Sequence, residues 1–233
     1  MSEMLPLNLC DERTLGIADP TVDFIFPVYG DAIPVDHGYV LFSAIAHVVP
    51  ELHGDPSIGV HPIHGRLVGE RKLALTRESR LIVRLPASRI RDVLRLAGKQ
   101  LDLDGARLMV GVPSTRPLRP ARWLHSRLVV IKGFTEPAGF LEAVQRQLRD
   151  RGIAGQAQLE VRRSQRAVEG GRGSAEPYVR RTLRIHDRDI VGYAVRVGEL
   201  DAADSLRLQA IGVGGRRRFG CGIFVPLNAE NTV

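Results

Sequence analysis

The 233-residue sequence contains little cysteine, little lysine and no long apolar run. Cys10 and Cys221 lie far apart and form no CxxC or zinc-ligand pattern, so we expect two reduced thiols rather than a disulfide framework. No apolar run approaches the ~20 residues that a membrane-spanning helix needs. Residues 1–11 lack a basic segment followed by an apolar core, so we expect no secretory signal. These absences predict a cytoplasmic protein without a membrane partner.

Familiar catalytic and nucleotide-binding motifs are absent as well. The sequence shows no nucleophile elbow, paired-carboxylate motif, kinase signature or metal-binding cluster of acids. No Gly-Lys-Ser or Gly-Lys-Thr follows a glycine-rich segment, which excludes a Walker A loop. We therefore expect no metal site and no cofactor, and an enzyme with this sequence would be metal-independent.

Arginine is the residue type in excess. Lysine and arginine together number 33 against 26 acidic residues, giving a net charge of +7, and the only lysines are Lys72, Lys99 and Lys132. A GC-rich genome favours arginine codons without selection on function. Binding to a polyanion is the other explanation, because guanidinium forms forked bonds with phosphate. Only the second explanation predicts that the arginines cluster.

The apolar periodicity predicts the order β-α-β-β-α-β twice, which is an α+β fold of two tandem ferredoxin-like domains. In the first unit we expect strands at residues 21–28, 58–63, 72–75, 81–85 and 101–112, and helices at 37–52 and 87–97. In the second we expect strands at residues 123–132, 156–162, 180–186, 190–197 and 222–226, and helices at 137–151 and 200–211. The predicted domains are a lead-in at 1–20, an N-terminal domain at 21–114, a proline-punctuated linker at 115–122 and a C-terminal domain at 123–233.

A glycine- and arginine-rich loop is predicted at residues 212–222, between the last helix and the last strand. Its members are Gly212, Gly214, Gly215, Arg216, Arg217, Arg218, Phe219, Gly220 and Gly222. Glycines allow positive φ and close approach of the backbone, so main-chain N–H groups can hold phosphate oxygens while the arginines add charge. An aromatic ring among arginines can stack on a base. The alternative interpretation is a flexible surface connector.

A second basic segment flanks the low-complexity stretch at residues 168–177. Arg162, Arg163 and Arg166 precede this stretch, which is rich in glycine and polar residues. A tolerated surface insertion is one interpretation. An arm that contacts RNA is the other.

Five of the seven histidines fall between His37 and His64. His61 and His64 have the i, i+3 spacing of a ligand pair, but no cysteine lies near and acids at suitable spacing are sparse, which disfavours zinc. Histidine suits general acid–base catalysis, including proton abstraction from a ribose hydroxyl. His47 is expected to be a half-buried helix residue, whereas His53 follows Pro50 and is expected to be exposed. A purely structural role is the alternative for each.

The glycine pattern carries a resemblance to a known family. Gly212-x-Gly214, five residues and Gly220-x-Gly222 resemble the C-terminal loop of the RAMP proteins of CRISPR systems. Within that superfamily the chain resembles the endoribonuclease that cuts the CRISPR precursor transcript in its repeats, on the strength of residues 23–54 with a Tyr39-bearing helix and a Leu52-His53 dipeptide. The resemblance spans about residues 23–226.

The resemblance implies site residues. It assigns His53, or else His47, as general base and Tyr39 as the residue that orients ribose or phosphate. The lysine expected shortly after the histidine is absent, and Arg66, Arg71 or Lys72 is the substitute cation on this interpretation. The implied partner is CRISPR repeat RNA, precursor and mature, together with further subunits of a CRISPR effector complex.

The implied reaction is attack by the 2′-hydroxyl on the adjacent phosphorus, which leaves a 2′,3′-cyclic phosphate and a 5′-hydroxyl. Two alternatives remain open at this stage. One is a RAMP-fold subunit that binds guide RNA without cutting it. The other is a tandem ferredoxin-like module that senses a small molecule, for which RNA affinity would not fall with salt.

Overall fold

The computed structural model describes residues 19–162, 177–185 and 188–227. Helices along these residues are α1 (Gly38–Val48), α2 (Ile90–Val93), α3 (Pro137–Asp150) and α4 (Ala202–Ile211). Strands of the first half are β1 (Thr21–Tyr29), β2 (Ala32–Pro34), β3 (Gly59–Val60), β4 (Arg66–Leu67), β5 (Lys72–Ala74), β6 (Arg80–Pro86), β7 (Gln100–Leu103), β8 (Ala106–Val110) and β9 (Ser114–Pro117). Those of the second half are β10 (Leu124–Val129), β11 (Gln156–Leu159), β12 (Arg180–Ile185), β13 (Arg188–Gly198) and β14 (Val225–Pro226).

The first sheet has the order β3-β6-β1-β8-β7, with antiparallel neighbours throughout. Its central strand β1 alternates, so that Phe24, Phe26 and Val28 enter the core on one face. Strands β8 and β9 both pair with β1: β8 pairs with its last two residues, and β9 pairs with residues 22–25. The order of the main strands is that of a ferredoxin-like unit.

The second sheet repeats this arrangement, with the order β11-β13-β10-β14 and with β12 pairing to the far end of β13. Helices α3 and α4 bury Phe140, Val144 and Leu208 in its core. The two strand orders confirm the predicted fold of two tandem ferredoxin-like units. A small sheet of β2, β5 and β4 was not predicted.

One local prediction was wrong, and a second segment differs in part from its prediction. The helix expected at residues 87–97 is a single turn of α-helix between the 3-10 turns Ala87–Arg89 and Leu94–Leu96. Its inward residues Ile90, Val93 and Leu96 are spaced by three, which suits the eclipsed side chains of 3-10 geometry and leaves Leu94 exposed. The first residues of the expected linker belong to strand β9, because Ser114–Pro117 pairs with the backbone of β1.

The two units share a core, and a buried ion pair of the first unit forms hydrogen bonds with the second. Leu128, Leu183 and Phe219 of the second unit pack into the core of the first. Arg84 on β6 donates to both carboxylate oxygens of Asp23, at 2.7 and 3.1 Å. The same guanidinium donates to the carbonyl oxygens of Gln209 and Phe224, which lie in the second unit. These contacts hold the units together.

None of the helices among the described residues combines the length and the apolar content of a membrane-spanning helix.

Candidate functional site

His53 lies directly after the helical segment that crosses the first unit. Helix α1 ends at Val48, and Pro50 then begins a 3-10 turn, Pro50–Leu52, because proline has no N–H to continue the helix. The N–H of His53 donates to the carbonyl of Pro50 at 2.9 Å and closes this turn. The residue itself is extended and exposed, as predicted.

The loop that follows His53 is held by one carboxylate. Oδ1 of Asp55 accepts hydrogen bonds from the N–H and the hydroxyl of Ser57, at 2.9 and 2.6 Å. Arg89 lies 3.6 Å from the other oxygen. Such a turn keeps the loop in one conformation.

The glycine-rich loop faces this segment across a cleft, which we call the loop cleft. The two sides of the loop cleft enclose about 330 Å³ and are formed by Gly54, Asp55, Pro56 and Ile58 on one side and Gly214, Gly215, Arg216, Arg217 and Arg218 on the other. Arg217 connects the two sides, since its guanidinium donates to the carbonyl oxygens of Pro56 at 3.4 Å and Ala210 at 2.6 Å. The fold therefore places the segment after His53 beside arginines some 160 positions later.

The glycines of the loop are needed for its own packing. A Cβ at Gly212 would lie 2.1 Å from the carbonyl oxygen of Gly222, and one at Gly214 would lie 2.4 Å from that of Val130. Gly220 and Gly222 also have positive φ and close neighbours, whereas a Cβ at Gly215 would meet nothing. The loop is a packed element and not a flexible connector.

Most amides of the loop already have protein acceptors, which corrects the expected phosphate cradle. Donors and acceptors pair as follows: Gly212 to Leu208 O, Gly214 to Gln147 Oε1, Gly215 to Val130 O, Phe219 to Arg216 O, Gly220 to Arg217 O, Cys221 to Arg216 O and Gly222 to Leu128 O. In this conformation an anion meets arginine side chains rather than these N–H groups.

Phe219 is buried, so the expected base stacking does not fit its position. The residue is 7% exposed, and its ring packs on Tyr39 and Phe42, at centroid distances of 5.6 and 5.7 Å. The guanidinium of Arg218 lies over the rings of Phe42 and Phe219. Phe219 therefore anchors the loop on α1 and positions Arg218.

The loop cleft carries positive charge. Arg216 is exposed, at the left-handed φ of 66°. Burial, with the nearby charges of Arg84 and Arg151, lowers the pKa of Arg217 to about 10, which leaves it protonated at neutral pH. The positive charge lining the cleft is therefore that of residues 216–218, with the carboxylate of Asp55 on the opposite side.

His47 and Tyr39 line a different cleft. They share one face of α1 with Ser43, at i, i+4 and i+8, and this face meets residues 100–104 across about 400 Å³. His47 is exposed there and not half-buried as expected. The structure therefore places His53, and not His47, at the start of the segment that lines the loop cleft.

His37 and His61 are buried and contact other residues of the protein. Nδ1 of His37 donates to the carbonyl of Pro34 at 2.8 Å, and Nε2 accepts from the N–H of Ile63 at 2.9 Å. Burial lowers the pKa of both histidines, that of His61 to about 4. Neither has a ring nitrogen placed for a substrate.

The arginines and the lysine expected to replace the missing cation lie elsewhere. Arg66, Arg71 and Lys72 belong to or border strands β4 and β5. Arg71 pairs with Asp36, before the start of α1, whereas His53 follows its end. This corrects the expectation: the cations near the segment after His53 include residues 216–218 across the loop cleft and Arg89, which pairs with Asp55. In the sequence, the cations at residues 216–218 were indicated by the three consecutive arginines within one glycine-rich segment.

The second basic segment is only partly described. Arg162 is exposed at the end of the strand region that includes β11, and its N–H donates to the carbonyl of Pro177. Arg163 and Arg166 lie outside the described residues. Within the described ranges, no group of three or more histidine, cysteine or acidic side chains is arranged to hold a metal ion.

Similar proteins are found by sequence and by structure. The family model described as "Cas6 Crispr" matches residues 22–229. The CRISPR-associated endonuclease Cas6 of Myxococcus xanthus (strain DK1622) is 36% identical over 205 residues, which cover 88% of this chain and 81% of that protein. A solved structure described as "CRISPR associated protein Cas6" has a TM-score of 0.61 at 11% identity and covers 89% of this chain and 100% of its own. One described as "An RAMP protein binding different RNA substrates" has a TM-score of 0.64 at 12% identity with the same coverage. These two structures support the fold alone.

Proposed function

The chain belongs to the Cas6 family, and we propose that it binds CRISPR repeat RNA and cuts the precursor transcript to generate guide RNA. The observation that carries the proposal is the loop cleft. There the segment that begins at an exposed histidine faces three consecutive arginines. A relative of 36% identity is named an endonuclease, which fits this assignment.

The proposed reaction is an intramolecular transesterification. His53 accepts the proton of the ribose 2′-hydroxyl, whose oxygen attacks the adjacent phosphorus. The bond from phosphorus to the 5′-oxygen breaks and that oxygen takes up a proton from water, leaving a 2′,3′-cyclic phosphate and a 5′-hydroxyl. The charge that develops on the phosphorane is stabilised by residues 216–218, which need no reorganisation because the loop is packed.

The remaining site residues support the cleft in this proposal. Tyr39 holds Phe219 and thereby the glycine-rich loop. His47 is the second choice for the base. A histidine base and arginine cations suffice for the proposed steps, so we propose that the reaction is metal-independent.

Cleavage of labelled repeat RNA in EDTA tests the proposal. We expect the wild-type protein to cut and to leave a cyclic phosphate, and a single 2′-deoxy substitution at the cut site to abolish cutting, since the nucleophile is then missing. Cleavage of the 2′-deoxy RNA, or a strict requirement for added metal, would contradict the mechanism.

The cleavage assay, together with a titration of RNA binding at two salt concentrations, separates the other functions considered. A protein that binds the repeat RNA and never cuts it is a guide-RNA-binding subunit with a RAMP fold. A protein whose RNA affinity does not fall with salt fits the small-molecule sensor instead, because phosphate contacts release counterions.

A further inference from the structure

A second basic cavity lies at the opposite end of α1 from His53. It encloses about 480 Å³ between the units and is lined by four arginines and two aspartates: Asp36, Arg71, Arg127, Arg181, Arg184 and Asp189. We call it the arginine cavity. Helix α1 has 11 residues and a length of ~16 Å, so the arginine cavity and the loop cleft are distinct places on the surface.

Two of the four arginines are already neutralised. Arg71 lies 2.9 Å from a carboxylate oxygen of Asp36, and Arg184 lies 3.0 Å from one of Asp189. Across the described part of the chain, Arg127 and Arg181 have no carboxylate within ion-pair distance. The cavity therefore holds an uncompensated pair of positive charges.

Arg127 and Arg181 repel each other. Both side chains are exposed, and the pKa of Arg127 is lowered by the burial of part of the side chain and, as the next largest cause, by the charge of Arg181. Asp36 raises the pKa of Arg127 but is engaged with Arg71. Two like charges this close favour a bound anion, which interacts with both of them at once.

The backbone directs Arg127 into the cavity. The pairing of β10 with β13 shifts register between Ser126 and Val129, as in a β-bulge. Leu128 then enters the core of the first unit while Val129 enters that of the second. A bulge re-aims side chains, and here it presents Arg127 at the junction of the two units.

Strand β12 presents Arg181 beside it. Leu183 packs into the core of the first unit and lies 3.4 Å from the position of a Cβ at Gly38, the first residue of α1. Arg181 is two residues away on the same face of the strand. Arg127, Arg181 and Gly38 all line a smaller cavity that adjoins the first, so the positive end of α1 adds to the field there.

We propose that Arg127 and Arg181 together bind a backbone phosphate of the RNA at the start of α1, as an anchoring subsite remote from the loop cleft. The inference rests on the proposed function and names a further part of the same RNA interface. It assigns a phosphate as the ligand and the RNA strand as its source. A free inorganic anion is the competing source.

The experiment is a binding titration with repeat RNA that carries a 2′-deoxy nucleotide at the cut site. We expect Arg127→Gln and Arg181→Gln each to weaken binding about tenfold. Each should also lower the slope of log affinity against log salt by about 0.7, the value for one phosphate contact with a single strand. Equal affinity and equal slope for wild type and both variants would overturn the proposal.

Matched arginines serve as controls. Arg184→Gln removes a charge from the same cavity, but this charge is already paired with Asp189, so we expect a smaller loss than for Arg181→Gln. Arg91→Gln removes an exposed arginine on α2 and should leave affinity and slope unchanged. A loss as large for these controls as for Arg127→Gln would show a general effect of net charge and overturn the assignment.

Thermal unfolding distinguishes binding from a structural role. Because each substitution relieves repulsion, we expect Arg127→Gln and Arg181→Gln to retain or exceed the wild-type Tm. A lower Tm together with the weaker binding would overturn the proposal, since it would indicate lost structure. If inorganic phosphate raises the Tm of the wild type but not of these variants, while RNA affinity is the same for all, the cavity takes a free anion and not RNA.

The two proposals fail in different ways. If the wild type neither cuts nor binds repeat RNA, the proposed function fails and the subsite fails with it. If the wild type cuts, and both variants bind as the wild type does, only the subsite fails.

Discussion

Asp23 is a buried carboxylate with three basic side chains around it, close to where the two units meet. Arg84, Arg116 and His61 lie 2.7, 3.3 and 3.5 Å from its oxygens. Burial raises the pKa of this carboxyl, but the contacts with His61 and Arg84 outweigh burial and hold it well below its usual range. For His61 the balance is reversed, because burial outweighs Asp23 and lowers its pKa to about 4.

This arrangement predicts a loss of stability in mild acid. The unfolded chain binds a proton at His61 below the ordinary pKa of 6.5, whereas the folded protein resists it down to about 4. The free energy of unfolding therefore falls as pH drops through this window, by on the order of 3 kcal/mol from His61. Urea unfolding at several pH values measures it. His61→Gln should flatten the dependence, and parallel curves for wild type and variant would contradict the account.

Single-residue environments were predictable only where they depend on near neighbours. The exposure of His53 follows from Pro50 three positions earlier. The complete burial of Arg84 depends on carbonyls of Gln209 and Phe224, and no local pattern reveals partners more than a hundred positions away. The ring contacts that bury Phe219 were not predictable for the same reason, because the partner rings belong to α1, far away in the sequence.

At the scale of elements, the glycine-rich loop combines a packed backbone with free charge. Gly214 has a φ of +77° and abuts the carbonyl of Val130, whereas Gly215, its neighbour, faces open space. An added methyl group should therefore change the free energy of unfolding differently at the two positions, although they are adjacent in the same loop.

Alanine substitutions test this difference. We expect Gly214→Ala to lower the free energy of unfolding by about 1–3 kcal/mol, because a left-handed backbone and a close contact both oppose the added methyl group. Gly215→Ala should stay within about 0.5 kcal/mol of the wild type. Denaturant titration of the two variants measures both, and equal losses would show that the loop is not packed as described.

The spacing of these glycines was visible in the sequence, but their structural role was not. The pattern alone allowed a flexible connector or a phosphate cradle, and the structure shows a packed turn. The contacts that decide between them come from β10 and from the far side of the loop itself. An amide with a protein acceptor cannot be told from a free one before the fold is known.

The whole molecule is two ferredoxin-like units joined through a common core. Leu128, Leu183 and Phe219 cross from the second unit into the core of the first. The repeated β-α-β-β-α-β order was predictable, because each unit carries its own apolar periodicity. How the units pack was not, since it depends on a bulge in β10 and on a buried ion pair.

A shared core predicts cooperative unfolding of both units. The single tryptophan, Trp123, packs beside Gly198 in the second unit and reports on that unit by fluorescence, whereas far-ultraviolet circular dichroism reports on both. We expect the two signals to give one coincident denaturant transition. Two separated transitions would contradict the description of a common core.

Alanine variants of the two candidate bases test the central claim, that His53 beside the loop cleft is the base for RNA cleavage. Single-turnover cleavage of repeat RNA in EDTA is compared for wild type, His53→Ala and His47→Ala. A positioned base contributes at least about a hundredfold to such a step. We predict that His53→Ala loses at least this factor while still binding RNA, and that His47→Ala cuts at close to the wild-type rate. An unchanged rate for His53→Ala, or the larger loss for His47→Ala, would contradict the account.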